Sequence, residues 1–170
     1  MRYPSIVGFI VIVGLLPMVA VSTIAGAHEP RPTDWSTWKL GHLSRYIGSD
    51  DYETVFNDPF VRRAMKDLLG NNVSLFLRNI QVRGPIGFEG FGLVLDGNKP
   101  HEGDKESAVL IVDLYDGEIH AGIMSKGKIT VYSKALRYAH LPIAIRQWVQ
   151  WQVNHHLFMS EPKTDFHWVK

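Results

Sequence analysis

Few residues in this chain are placed to do chemistry, and the most promising is His101. It stands in the polar stretch Asp96-Gly97-Asn98-Lys99-Pro100-His101-Glu102-Gly103-Asp104-Lys105, where it is the one side chain of a type with chemistry near neutral pH. Pro100 fixes φ beside it and lowers the entropy lost when such a loop docks on a partner. Glu102 with Asp104 or Glu106 offers carboxylates at a spacing open to general acid–base work, although a solvated loop accounts for them more simply. No pair among the eight histidines has the i, i+4 spacing that aims two ligands from one helical face, and there is no cysteine, so no metal or cofactor is expected. His155 and His156 are adjacent and diverge on a helix. Ser36/Lys39 and Ser125/Lys128 match S-x-x-K without the companion motifs of a penicillin-binding enzyme, and no G-x-S-x-G elbow occurs. Asn72-Val73-Ser74 is a glycosylation sequon with weight only in a eukaryote. No catalytic residue is assigned.

The elements that must carry His101 follow from the flanking runs. Phe91 to Leu95 and Ala108 to Val112 are short, apolar and partly β-branched, which reads as two strands joined by a long hairpin loop. A connection of about ten residues exceeds the usual two to five, and loops beyond that norm are often functional. Phe91, Leu93 and Leu95 share one sheet face, while Gly90 and Gly92 point to a bulge or a close backbone approach. Ser107 to Tyr115 is apolar on both faces, as in a middle strand. Asp116-Gly117 reads as a two-residue turn, and Lys126-Gly127 as another, giving a meander of at least four antiparallel strands.

Before the meander, Thr33 or Asp34 can cap a helix from Trp35 whose face holds Trp38, His42 and Tyr46. Asn57 or Asp58 caps a clearer one over Pro59–Leu69, with proline in the first turn and Gly70 as the stop. Asn71 to Arg83 fits helix and strand equally. A last helix runs from about Leu141 to Asn154 with Ile145, Trp148, Val149 and Gln152 on one side, and residues 161–170 read as a tail that Phe166 and Trp168 are able to dock. The order predicts one α+β domain: an antiparallel meander with N-terminal helices and a C-terminal helix packed on it.

The first 27 residues read as a signal peptide: Arg2 before an apolar stretch from Ile6, then Ala25-Gly26-Ala27 with cleavage after Ala27. Retention as a membrane anchor is the alternative. Arg2 is the leader's only charge, so the mature chain from His28 carries 17 basic and 17 acidic residues. That balance, with no basic cluster, excludes a general affinity for nucleic acid. An exported chain without cysteine must be stabilised by its core.

Gly97-Asn98-Lys99-Pro100-His101-Glu102-Gly103, followed by Glu106 to Asp113, Asp116 to Ile123 and Gly127 to Tyr132, resembles the inhibitor of vertebrate lysozyme family. In that family a loop of the form C-K-P-H-D-C precedes a hydrophobic strand and a hairpin. The resemblance covers roughly Phe91 to Ser133, and Leu141 to Trp148 is similar to the family's closing helix. It implies a periplasmic protein of a Gram-negative bacterium that inserts Lys99, Pro100, His101 and Glu102 into the cleft of a c-type lysozyme or lytic transglycosylase. Asp96, Gly97, Asn98, Gly103 and Asp104 would support the loop. Asn98 and Gly103 occupy the places of the family's two cysteines, so loop hydrogen bonds are needed where the family has a staple. An immunity protein or cell-wall regulator using another surface is the alternative, and a small periplasmic hydrolase a third. A homodimer is among the assemblies open to it.

Overall fold

A computed structural model describes residues 34–103, 105–135, 137–155 and 163–168. The leader expected over residues 1–27 lies outside them. Among the described residues, no helix is long and apolar enough to cross a membrane.

The chain builds a seven-stranded sheet with helices on both faces. The strands are β1 Val82–Arg83, β2 Gly87–Glu89, β3 Gly92–Asn98, β4 Ser107–Asp113, β5 Ile119–Ser125, β6 Lys128–Ser133 and β7 Lys163–Trp168. They lie in the order β1-β3-β4-β5-β6-β7, with β2 also paired to β3. All pairings are antiparallel except β6 with β7. The fold is α+β, as the element order predicts.

The helices are α1 Tyr52–Asn57, α2 Pro59–Leu69, α3 Val73–Arg78 and α4 Ile143–His155. Asp58 starts α2 by accepting hydrogen bonds from the Phe60 and Val61 N–H groups at 2.9 and 3.2 Å, and Gly70 ends it at φ +54°. Alternation along β4 divides the core between the two faces. Ala108, Leu110 and Val112 pack with Leu43, Val55, Met65 and Phe76 from the N-terminal helices. Val109 and Ile111 pack with Ile145, Trp148 and Val149 of α4. Gly122 on β5 lets α4 come close: a Cβ there would stand 2.6 Å from the Trp148 ring.

Several sequence expectations are corrected. The segment after Trp35 is not an α-helix but a run of turns leading to a 3₁₀ helix, Gly41–Tyr46. Lys39 and Leu40 donate their N–H groups to the Tyr115 and Leu114 carbonyls, so these donors leave the local helix for the end of the sheet. Phe91 lies on the turn between β2 and β3, 44% exposed, outside the buried face of Leu93 and Leu95. The connection around Asp116-Gly117 spans Leu114 to Glu118, because the Asp113 carboxylate accepts the Tyr115 and Asp116 N–H groups and widens the turn. Lys126-Gly127 is a two-residue turn, with φ of +52° and +73° as a type I′ hairpin requires. The expected tail contains β7, which docks on β6 in parallel register from Lys128↔Lys163 to Ser133↔Trp168. Parallel pairing needs a long crossover, and α4 lies within it.

Candidate partner-binding loop

The β3–β4 hairpin carries the loop Lys99–Glu106. Register holds to its base, where Asn98 pairs with Ser107 and the Lys99 N–H donates to the Glu106 carbonyl at 2.9 Å. At the tip the Glu102 N–H donates to the Lys99 carbonyl at 3.2 Å, closing a four-residue turn with Pro100 and His101 at its centre. Proline followed by a residue at positive φ is the pattern of a type II turn. His101 has φ +61° and is exposed, a backbone region that glycine occupies freely and histidine only at a cost of about 1–2 kcal/mol. The turn therefore holds the imidazole outward in a conformation that must be enforced from elsewhere.

Two features enforce it. The Lys99 ammonium donates to Glu102 Oε1 at 2.6 Å across the turn. This pairing cancels the Lys99 charge locally, so the side chain braces the loop rather than standing free as a source of long-range attraction. The second feature is Glu106, which the sequence suggested was a solvated loop carboxylate. It is 5% exposed. Its Oε2 accepts from Asn79 Nδ2 at 2.8 Å and from the Arg78 guanidinium at 3.3 Å. Its Oε1 accepts from Ser125 Oγ at 3.1 Å and from the Lys126 N–H at 3.3 Å. Burial opposes the charge, but these donors and the Arg78 cation outweigh it and hold the carboxyl below its ordinary value. Asn79, itself fully buried, also donates to the Met124 carbonyl at 2.8 Å. Glu106 thus ties the hairpin to the end of α3, to β5 and to the turn after it. The Lys105 and Glu106 N–H groups then bond the Glu102 carbonyl at 2.9 and 2.8 Å.

The remaining loop supports fall into place around this anchor. Asn98 and Gly103 face each other: a Cβ on Gly103 would lie 3.0 Å from Asn98 Cγ. The positions that carry cysteines in the resembled family are thus adjacent here, with an amide against a glycine. Gly97 has no room for a side chain, since a Cβ would stand 2.5 Å from the Val82 carbonyl oxygen. The Asp96 carbonyl accepts from the Tyr52 hydroxyl at 2.9 Å. Burial, with the nearby Asp96 charge, pushes that phenol up to about 12, so it remains a donor. Asp104 lies outside the described residues. The loop needed Glu106, Asn79 and Arg78, and local sequence offered no sign of them beyond the polarity of Glu106. Among the described residues, no three His, Asp or Glu side chains are placed to hold a metal ion.

A compact α+β domain that raises one braced hairpin tip above its sheet has the build of a binding protein. This chain belongs to the inhibitor of vertebrate lysozyme (Ivy) family, whose sequence model matches residues 61–155, a span containing the whole hairpin and α4. The family is one of lysozyme inhibitors, with a protein as partner. No curated protein and no solved structure was found to match the chain.

Proposed function

We propose that the protein is exported to the periplasm and inhibits a peptidoglycan-cleaving muramidase, a c-type lysozyme first, by seating Lys99–Glu102 in the active-site cleft. The observation that carries this reading is the enforced positive φ of His101 at the exposed tip of a braced loop, in a family of lysozyme inhibitors. Strained backbone held by its surroundings clusters at functional sites. A muramidase cleft places two carboxyl groups on either side of the scissile bond. A neutral imidazole donates one hydrogen bond to such a pair and an imidazolium donates two. The charged form is also complementary to a carboxylate. Occupying the cleft excludes substrate without any chemistry by the inhibitor.

The test is a cell-wall lysis assay with lysozyme, the mature protein and two variants. His101→Ala should lose at least tenfold in inhibition, the equivalent of one lost charge-assisted hydrogen bond. His101→Gly should lose as much while matching or exceeding wild-type stability, because glycine relieves the turn. Inhibition unchanged in both variants would show that the tip is not the plug. Inhibition of a lytic transglycosylase but not of lysozyme would move the target within the muramidases.

A further inference from the structure

A second receptive surface adjoins the loop. A groove of about 420 Å3 runs between α4 and the β3–β4 hairpin, within the roughly 300–1,000 Å3 of small-molecule sites. Asn98 and Gly103 form part of its wall, so its mouth opens beside the loop. Asp96 and Glu89 line it and no lysine or arginine does. Among the described residues, neither carboxylate has an ion-pair partner. Asp96 is exposed by area yet recessed between the groove walls, and the loss of hydration there raises its carboxyl above the ordinary value. Trp151 lines the groove at 51% exposure. Ser107 and Gln152, both more than nine-tenths buried, line it too, and Ser107 Oγ and Gln152 Oε1 have no hydrogen-bond partner.

We infer that this groove receives a cationic side chain, an arginine, from the enzyme that the loop engages; that occupant rests on the inhibitory reading above. The unmet groups are two carboxylates, an amide oxygen and a hydroxyl, all able to accept. A guanidinium brings five donors in a plane, stacks on indole and sheds its weak hydration readily. A lysine ammonium is compact and strongly hydrated, and offers the indole a point charge rather than a plane to stack on. An anion meets two carboxylates of its own sign. A neutral saccharide stacks on Trp151 but leaves both charges uncompensated.

The test begins without any enzyme. The mature protein is titrated with N-acetyl-arginine amide, with its neutral citrulline counterpart and with chitotriose, while the amide and indole resonances are followed by NMR. The arginine derivative should give saturating shifts at Asp96, Ser107 and Trp151, and the citrulline derivative none. Asp96→Asn should abolish the response. Equal response to both derivatives overturns recognition by charge. Silence up to about 50 mM of the arginine derivative, an affinity too weak to matter, overturns the site. Saturation by chitotriose alone makes the groove a saccharide site and overturns the cation.

Lysozyme binding then tests the occupant. Asp96→Asn should weaken it about tenfold, as loss of one charge from a contact pair does. An unchanged affinity overturns the enzyme's arginine as the occupant. Failure of the titration leaves inhibition by the loop standing. Failure of wild-type protein to bind lysozyme, with the titration positive, removes the inhibitory reading and its occupant but not the cation groove.

Discussion

Strand β4 is entered and left by loops that differ in what holds their outer surface. The loop before it, Lys99–Glu106, is held from below by a buried carboxylate and its donors. The loop after it, Leu114–Glu118, also has a carboxylate at its base, Asp113, which accepts the Tyr115 and Asp116 N–H groups, but it is held from outside as well. The N-terminal segment donates backbone hydrogen bonds to Leu114 and Tyr115, Lys39 Nζ donates to the Asp116 carbonyl at 3.0 Å, and the Tyr115 ring meets Trp38 edge-to-face at 5.6 Å. A loop that must meet another molecule has to leave its outer surface bare. Its order then comes from hydrogen bonds at the base, where a single carboxylate serves several donors at once. The loop after the strand adds contacts from the N-terminal segment to those at its base.

The sharpest way to break the contrast is Glu106→Ala. It leaves the buried Asn79 amide with only the Met124 carbonyl as acceptor and takes the partner from the half-exposed Arg78 guanidinium, and a loss of about 2 kcal/mol is expected in urea unfolding. Amide exchange should quicken at Glu102, Lys105 and Glu106 while Leu114 to Glu118 stays protected. Uniform loosening of both loops would show that Glu106 serves the whole fold and not the hairpin.

Acid should separate the latch from the sheet beneath it. His120 on β5 is 4% exposed, its Nδ1 lies 2.7 Å from Ser133 Oγ, and burial lowers its pKa to about 4 despite the opposing pull of Asp116. The unfolded chain takes up that proton near 6.5 and the folded chain only near 4. Stability is therefore complete above pH 6.5 and falls by about 3 kcal/mol as pH drops to 4. Glu106, held below its ordinary value of 4.5, contributes above that pH and loses its contribution below it. Unfolding midpoints measured from pH 7.5 to 3.5 should show the histidine limb first, and His120→Gln should flatten that limb alone.

Asn98→Cys with Gly103→Cys restores the staple of the wider family at positions already in contact. Closing so short a loop is worth about 2 kcal/mol. If Glu106 already orders the tip, the oxidised variant should bind lysozyme within about threefold of wild type. A much larger gain would mean that the latch leaves the tip mobile. Phe91→Ala removes edge-to-face contact with Trp38 at 5.5 Å and should cost about 1 kcal/mol. Inhibition should not change, since this cluster caps the opposite end of β4.

The contrast also explains what could be read in advance. α2 is legible because Asp58, Pro59 and Gly70 mark its ends within a dozen residues, and β4 because both its faces are apolar. The β3–β4 loop shows in the chain as a polar gap between apolar runs. Glu106 does not, because its donors lie 27 residues before it, at Asn79, and 19 after it, at Ser125. A carboxylate in a polar run looks the same whether water or an amide solvates it. The docking of residues 163–168 on β6 is likewise decided by an open sheet edge far away in sequence. The Trp35 segment misleads because its regular aromatic spacing is used to cap the sheet end while its N–H groups leave for Leu114 and Tyr115.

The Glu106 latch takes its donors from the Arg78, Asn79 and Ser125 side chains and the Lys126 N–H, and none from Pro100 or His101. Foundation and tip are thus separately replaceable. Changes at the two apex residues leave the anchoring network intact. The hairpin is built as an interchangeable bit in a fixed chuck: its two outward positions carry none of the hydrogen bonds that hold its mount.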